Sequence, residues 1–285
     1  GPSQLVQDAR RHGVRVLPID VNTSDWDCTL EGPAQLLKPP RPLPGVRPAA
    51  LPQPAVRLGL RLVGGLHTSA AQRLLQARAQ APQCRFASTE DLALRAGLQR
   101  HDLQALAAAD ALAALSGHRR QQMWDAAAQH QIPPLLRDAP VHEAPLELPP
   151  AHEGEEIVFD YAATGLTLRR HPLALLRPRL ERWNLLTALQ LQSTPHGRNV
   201  RACGIVTVRQ RPGTAKGTMF VTLEDETGPV NVIVWPALIE RWRDALLRSR
   251  LLAVQGMWQC SEQPGGGAGS VSNYGGGSEA ATTAS

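Results

Sequence analysis

Seven prolines lie between Lys38 and Pro54. Proline has no N–H to donate and holds φ near about −65°, so neither a helix interior nor a central strand can run through such a stretch. A second proline-rich stretch covers Gln131–Pro150. The chain is therefore expected to fold in pieces joined by linkers or extended crossing segments. Its 285 residues leave room for two or three small domains.

Ahead of the first proline stretch, Leu5–Gly13 reads as a short helix, with Leu5, Val6 and Ala9 on one side and glycine as its stop. Val14–Ile19 alternates like a strand. Asp20–Glu31 is polar, with Asn22, Ser24 and Asp25 as turn formers. Between the two stretches an apolar, strand-like run, Ala55–Val63, leads into Gly64-Gly65. Thr68 or Ser69 can then cap a helix to about Ala79, whose Ala70, Leu74, Leu75 and Ala77 have helical spacing. Thr89–Ala96, Arg100–Leu115 and His118–His130 read as further helices, separated by Gly97 and by Ser116-Gly117. Beyond the second stretch, Glu153–Arg182 holds a helix, a turn at Gly165 and a helix after His171-Pro172.

From Val200 the hydrophobic period changes. Val200–Arg211, Met219–Asp225, Val230–Trp235 and Leu251–Gln259 read as strands, with a helix over Pro236–Leu247 between the third and the fourth. That is the element order of an OB barrel. From Ser261 the residues are mainly Gly, Ser, Ala and Thr, a composition with too little apolar surface to order itself, and a disordered tail is expected.

Charge separates the possible partners. The whole chain carries +5, but Leu166–Arg250 holds thirteen Arg and one Lys against six acidic residues, a local excess of +8. Such a segment suits a polyanion; an ordinary solvated, Arg-rich surface is the plain alternative. The four cysteines, Cys28, Cys84, Cys203 and Cys260, form no metal-ligand spacing and read as free thiols. No apolar run approaches the roughly 20 residues that span a bilayer. There is no signal peptide, so a cytoplasmic location is expected. The chain starts at Gly1-Pro2 without an initiator Met and reads as a fragment.

Three segments can bind a polyanion. Val63-Gly64-Gly65-Leu66-His67, leading into Thr68-Ser69, has the form of a hairpin between helices. Glycine admits close backbone approach, and the following helix start offers N–H groups to a phosphate. His67 stands where a second glycine is usual, and a hairpin that only packs is the alternative. Gly97-Leu98, with Arg100 and His101, repeats the pattern about 32 residues on; paired hairpins can grip both strands of a duplex. In the OB block, Arg201, Arg209, Arg211 and Lys216 can neutralise phosphates, while Phe220 and Trp235 can stack on bases or pack in a core. Glu224-Asp225-Glu226 is the one tight acidic cluster and reads first as a turn. His171, between two arginines and Pro172, can touch phosphate or cap a helix. Phosphate-loop, nucleophile-elbow and zinc-protease motifs are absent, as is a paired-Asp motif for two Mg²⁺ ions.

Four ordered blocks resemble bacterial C-family (DnaE-like) DNA polymerases. Arg11-His12-Gly13-Val14, Leu17-Pro18-Ile19-Asp20-Val21-Asn22 and Ser24-Asp25-Trp26-Asp27-Cys28 resemble the end of that family's fingers region; the last of these points to its error-prone, ImuC-type branch. Leu58-Gly59-Leu60-Arg61-Leu62-Val63-Gly64-Gly65-Leu66 resembles the start of its tandem helix-hairpin-helix domain. Asp160-Tyr161-Ala162-Ala163-Thr164-Gly165-Leu166 with His171-Pro172-Leu173 resembles the segment before its OB domain. Val208–Gly217 followed by Leu223-Glu224-Asp225-Glu226-Thr227-Gly228 resembles that domain's opening hairpin.

The resemblance implies a multidomain α+β chain with five parts. Residues 1–50 are the fingers tail and a linker, 51–130 the all-α tandem hairpin domain, 131–197 a connector, 198–260 an OB barrel lacking its last strand, and 261–285 a tail. It further implies a non-catalytic, DNA-binding C-terminal part of a polymerase for translesion synthesis. The Mg²⁺ belongs to the complete enzyme and no cofactor to this part. The implied partners are primed duplex, single-stranded template, a sliding clamp and an inactive Y-family-like bridging protein; no membrane is involved. A protein-docking platform and a stand-alone single-stranded-DNA binder are the rival readings, and a tRNA-handling OB enzyme is disfavoured because no ATP-binding signature is present.

Overall fold

A computed structural model describes residues 1–32, 54–128, 146–213, 217–260 and 269–273. Both proline-rich linkers fall mainly outside these residues, as do Lys216 and most of the Gly/Ser-rich tail. The chain forms two compact units, Gly1–Arg169 and Arg170–Ser285. Among the described residues no helix is long and apolar enough to cross a membrane.

The first unit opens with α1 (Pro2–Arg11), closed off by Gly13 at φ +80°. A small sheet follows, of β1 (Val16–Leu17), β2 (Thr29–Glu31) and β3 (Ala55–Arg57). β3 is central, parallel to β1 and antiparallel to β2. The expected strand over Ala55–Val63 is thus only three residues long. It ends where Gly59 passes so close to the backbone of Trp26 and Asp27 that a Cβ would collide, and a 3₁₀ turn at Leu60–Leu62 replaces the rest.

The helices are α2 (Thr68–Gln80), α3 (Thr89–Ala96), α4 (Arg100–Ala108), α5 (Ala113–Ser116), α6 (Arg119–Ala128) and α7 (Glu153–Thr164). Leu60, Leu74, Leu92, Leu103, Leu106 and Leu112 are buried in one core that also takes Ile19 and Val21 from the N-terminal loop. Arg78 of α2 ties that loop down, donating to the carbonyls of Val21 (3.1 Å) and Ser24 (2.7 Å) and to Asp25 (2.8 Å). Arg100–Leu115 is not the single helix that its sequence suggests. Asp110 takes a left-handed φ of +59°, and its carboxylate accepts from Gln122 (2.6 Å) and Arg169 (2.9 Å), which divides α4 from α5.

The second unit begins with α8 (Pro172–Arg182) and α9 (Ala188–Gln192). His171 is the N-cap of α8, accepting from the Leu173 N–H at 3.2 Å, which is the capping alternative read from sequence. The barrel is built from β4 (Asn199–Gln210), β5 (Met219–Glu224), β6 (Pro229–Val234), β7 (Leu251–Cys260) and β8 (Gly269–Asn273). Two short helices, α10 (Pro236–Arg241) and α11 (Arg243–Arg248), replace the single expected one.

The barrel is closed in the order β4-β5-β6-β8-β7, against the expectation that its last strand is missing and that nothing after Ser261 orders. Main-chain pairing on both sides explains the difference. β8 runs parallel to β6 and antiparallel to β7, so it needs few apolar side chains of its own. Val271 is wholly buried opposite Trp258. Replacing it by Ala should cost about 2 kcal/mol of second-unit stability, measured by urea unfolding; an unchanged midpoint would mean that β8 does not close the barrel.

The acidic triplet organises the turn after β5. Asp225 is buried, and its carboxylate accepts from the N–H groups of Thr227 (2.7 Å), Gly228 (2.9 Å) and Ala188 (2.8 Å). Glu226 pairs with Arg177 of α8, Nη2 to Oε2 at 2.8 Å. Burial pushes the Glu226 carboxyl up, but the Arg177 hydrogen bond and charge outweigh it and hold the group below its ordinary 4.5. A depressed carboxylate stabilises the fold above its unfolded value and loses that contribution as the pH falls through the folded one. Glu226→Gln should therefore cost about 1–2 kcal/mol at pH 7, with the deficit shrinking below about pH 4 in thermal melts across pH; a deficit independent of pH would remove the ion pair as its cause.

Candidate nucleic-acid interface

The first hairpin runs from the 3₁₀ turn through Val63–His67 into α2. Gly64 donates its N–H to the Ala163 carbonyl at the end of α7 (2.7 Å), and a Cβ at Gly64 would lie 2.8 Å from that oxygen. Close approach to α7, rather than torsional freedom, is what calls for glycine there. Gly65 has φ +82° with open space around it. Leu66, another of the expected residues, is buried and donates its N–H to the Val63 carbonyl (3.3 Å), so it anchors the turn. Gly64, Gly65, His67, Thr68 and Ser69 are exposed. Thr68 already belongs to α2; the cap position is His67, in extended conformation at φ −73° and without a side-chain capping bond. A negative φ explains how a histidine can stand where a second glycine is usual.

The second hairpin has the same plan. Ser88 caps α3, Gly97 ends it in the left-handed region, Leu98 is buried and α4 starts at Arg100. Gly97, Arg100 and His101 are exposed. The fold brings the two expected sites together: the rings of His67 and His101 lie 5.4 Å apart, at the starts of α2 and α4. His101 Nε2 donates to the Gly65 carbonyl at 3.0 Å. In return, Arg73 of α2 donates from Nε to the Ala96 carbonyl (3.1 Å) and from Nη2 to the Gly97 carbonyl (3.4 Å). Sequence reading missed Arg73, and no local signal marks it, because its partners lie more than twenty residues away.

The OB candidates divide. Phe220 and Trp235 are 39% and 37% exposed, so neither is a core residue. Phe220 lies opposite Gln210 on β4 and Ile233 on β6, on the barrel's outer face. Arg211, also exposed, follows Gln210 directly. A Cβ on Gly217 would meet both Arg211 Nη2 and Pro236 at 3.5 Å, which sets Arg211 beside the start of α10 and next to Trp235. Arg211, Phe220 and Trp235 thus share one end of the β4–β5–β6 face. Arg201 is exposed, but it lies opposite Gln255 on β7, about 30 Å along β4 from Gln210.

The Arg209 side chain is engaged within its own unit. A bulge between Val206 and Val208 turns its side chain inward, in register with the buried Val221. There its guanidinium donates to the carbonyls of Leu246 (2.6 Å) and Ser249, closing the end of α11. Lys216 lies outside the described residues. The four cysteines are free, and burial pushes the Cys203 thiol up to about 11, so it is inert at neutral pH. Among the described residues no group of three or more His, Cys, Asp or Glu is arranged to hold a metal.

Two family models match. The helix-hairpin-helix motif covers residues 13–122, and the OB-fold nucleic acid binding domain covers residues 200–273. A solved asparaginyl-tRNA synthetase from Pyrococcus horikoshii is 26% identical over 30% of this chain and 21% of its own, at a TM-score of 0.26, a likeness too slight to bear on function. The curated relatives are much more alike. An error-prone DNA polymerase of Ralstonia nicotianae is 55% identical over 92% of this chain and 23% of its own length. That of Bordetella parapertussis is 54% identical over 90% and 23%, and that of Methylococcus capsulatus 53% over 92% and 25%. The chain thus spans about a quarter of these relatives' length. Along nine-tenths of its residues it is homologous to a segment of the error-prone DNA polymerases, one that carries a helix-hairpin-helix domain followed by an OB-fold domain.

Proposed function

We propose that this chain is the DNA-handling C-terminal part of a DNA-directed, error-prone polymerase that works in translesion synthesis and damage-induced mutagenesis. One observation carries the reading. Two hairpin turns with exposed glycines and helix starts stand side by side in a chain half identical to error-prone polymerases. The start of α2, and Arg100 and His101 at the start of α4, stand exposed, and helix starts suit backbone phosphates. In this reading Gly64, Gly65, His67, Thr68 and Ser69 hold one strand of the duplex behind the growing end, and Gly97, Arg100 and His101 hold the other.

The OB domain meets single-stranded template. Arg211, Phe220 and Trp235 supply one cation and two stacking faces on strands where such barrels commonly bind oligonucleotides. Arg201 contributes charge at a distance, and Arg209 holds α11. Nucleotidyl transfer, with its Mg²⁺, belongs to the complete polymerase, and the part described here binds without catalysing. A bridging partner and a sliding clamp dock on the same polymerase.

Fluorescence anisotropy with primed, duplex and single-stranded DNA tests the reading. Affinity should be highest for the primed junction and fall about a hundredfold between 50 and 200 mM salt if about four phosphates are neutralised. Replacing Arg211 and Trp235 by Ala should weaken single-strand binding about tenfold and leave duplex binding nearly intact. Arg209→Ala should instead lower the melting temperature of the second unit. No binding at low salt by a folded chain would replace this reading with a protein-docking role.

A further inference from the structure

The two hairpins grip one another reciprocally. Arg73, in the helix that follows the first hairpin, binds the Ala96 and Gly97 carbonyls at the turn of the second. His101, in the helix that follows the second, binds the Gly65 carbonyl at the turn of the first. Neither hairpin can shift without breaking a hydrogen bond to a carbonyl of the other.

Asp102 steadies the same corner. Its buried carboxylate accepts the Gln99 N–H at 3.1 Å, and Oδ2 stands 3.8 Å from Arg73 Nη2, so the head of α4 and the arginine that reaches across from α2 meet at one residue.

We propose that Arg73 and His101 are positioning residues that lock the tandem hairpins into one duplex-gripping unit. This rests on the duplex-binding reading of the hairpins; the lock itself does not. Neither residue is required to touch DNA for the lock to act.

Two measurements on the 285-residue chain separate the two ideas. Hydrogen–deuterium exchange without DNA reads the lock. His101→Ala should speed exchange across residues 63–69, more than thirty positions away in sequence, and Arg73→Ala should do the same across residues 96–99. Anisotropy with a duplex reads its effect. Arg73→Ala, at a residue the binding reading does not place against DNA, should weaken duplex binding about fivefold, the value of one positioning hydrogen bond. His101→Gln keeps a donor for the Gly65 carbonyl and should retain slow exchange over residues 63–69. Exchange over residues 63–69 that is unchanged in His101→Ala would overturn the lock. Duplex affinity that is unchanged in Arg73→Ala while exchange over residues 96–99 is faster would overturn its part in gripping the duplex. An unaltered chain that binds no duplex would sink the DNA reading and the binding half of the proposal with it, while faster exchange in His101→Ala would still establish the lock.

Discussion

Burying a guanidinium to 3% exposure is costly unless carboxylates lie beside it, and the first unit is arranged around that requirement at Arg119. Glu156 meets it at 3.1 Å, and Asp160 lies closer still; both belong to α7. Arg169 adds bonds to Glu156 (3.0 Å) and Asp110 (2.9 Å). This network fixes α7 against α6 and the end of α4. Fixing α7 places the Ala163 carbonyl, and that carbonyl receives the Gly64 N–H. A buried charge far from the first hairpin in sequence thereby sets the position of its turn.

Both hairpins follow one division of labour. The apolar residue at the centre, Leu66 or Leu98, is buried and fixes the turn, while the glycine before it and the helix start after it face outward. The polar contacts across the pair go to carbonyls and use no N–H of either helix start; at the head of α4 the Gln99 N–H is taken by Asp102.

Much of this was visible in the residues. Glycine followed by leucine, twice at a spacing of 32, located both hairpins, and the change of period at Val200 located the barrel. What escaped depended on distant partners. Asp110 breaks a stretch rich in helix formers because Gln122 and Arg169 hold its carboxylate in a turn. Arg209 changes face because one bulge between Val206 and Val208 reverses the alternation that the sequence displays. Arg73 and His101 make one assembly of two hairpins through bonds to carbonyls, groups that every residue carries and no sequence pattern marks.

The closing strand, Gly269–Asn273, has a consequence for how this end of the molecule can change over time. Its hold on the barrel comes from main-chain hydrogen bonds to β6 and β7 and from two buried residues, Val271 and Ser272. The main-chain bonds survive most substitutions, so side-chain identity matters chiefly at those two positions. The segment can therefore vary elsewhere along its length, so long as no proline enters and the two buried residues stay in register. A stretch that looks like filler by composition can still be a structural seal, and evolutionary drift would erase its signature long before it erased its role.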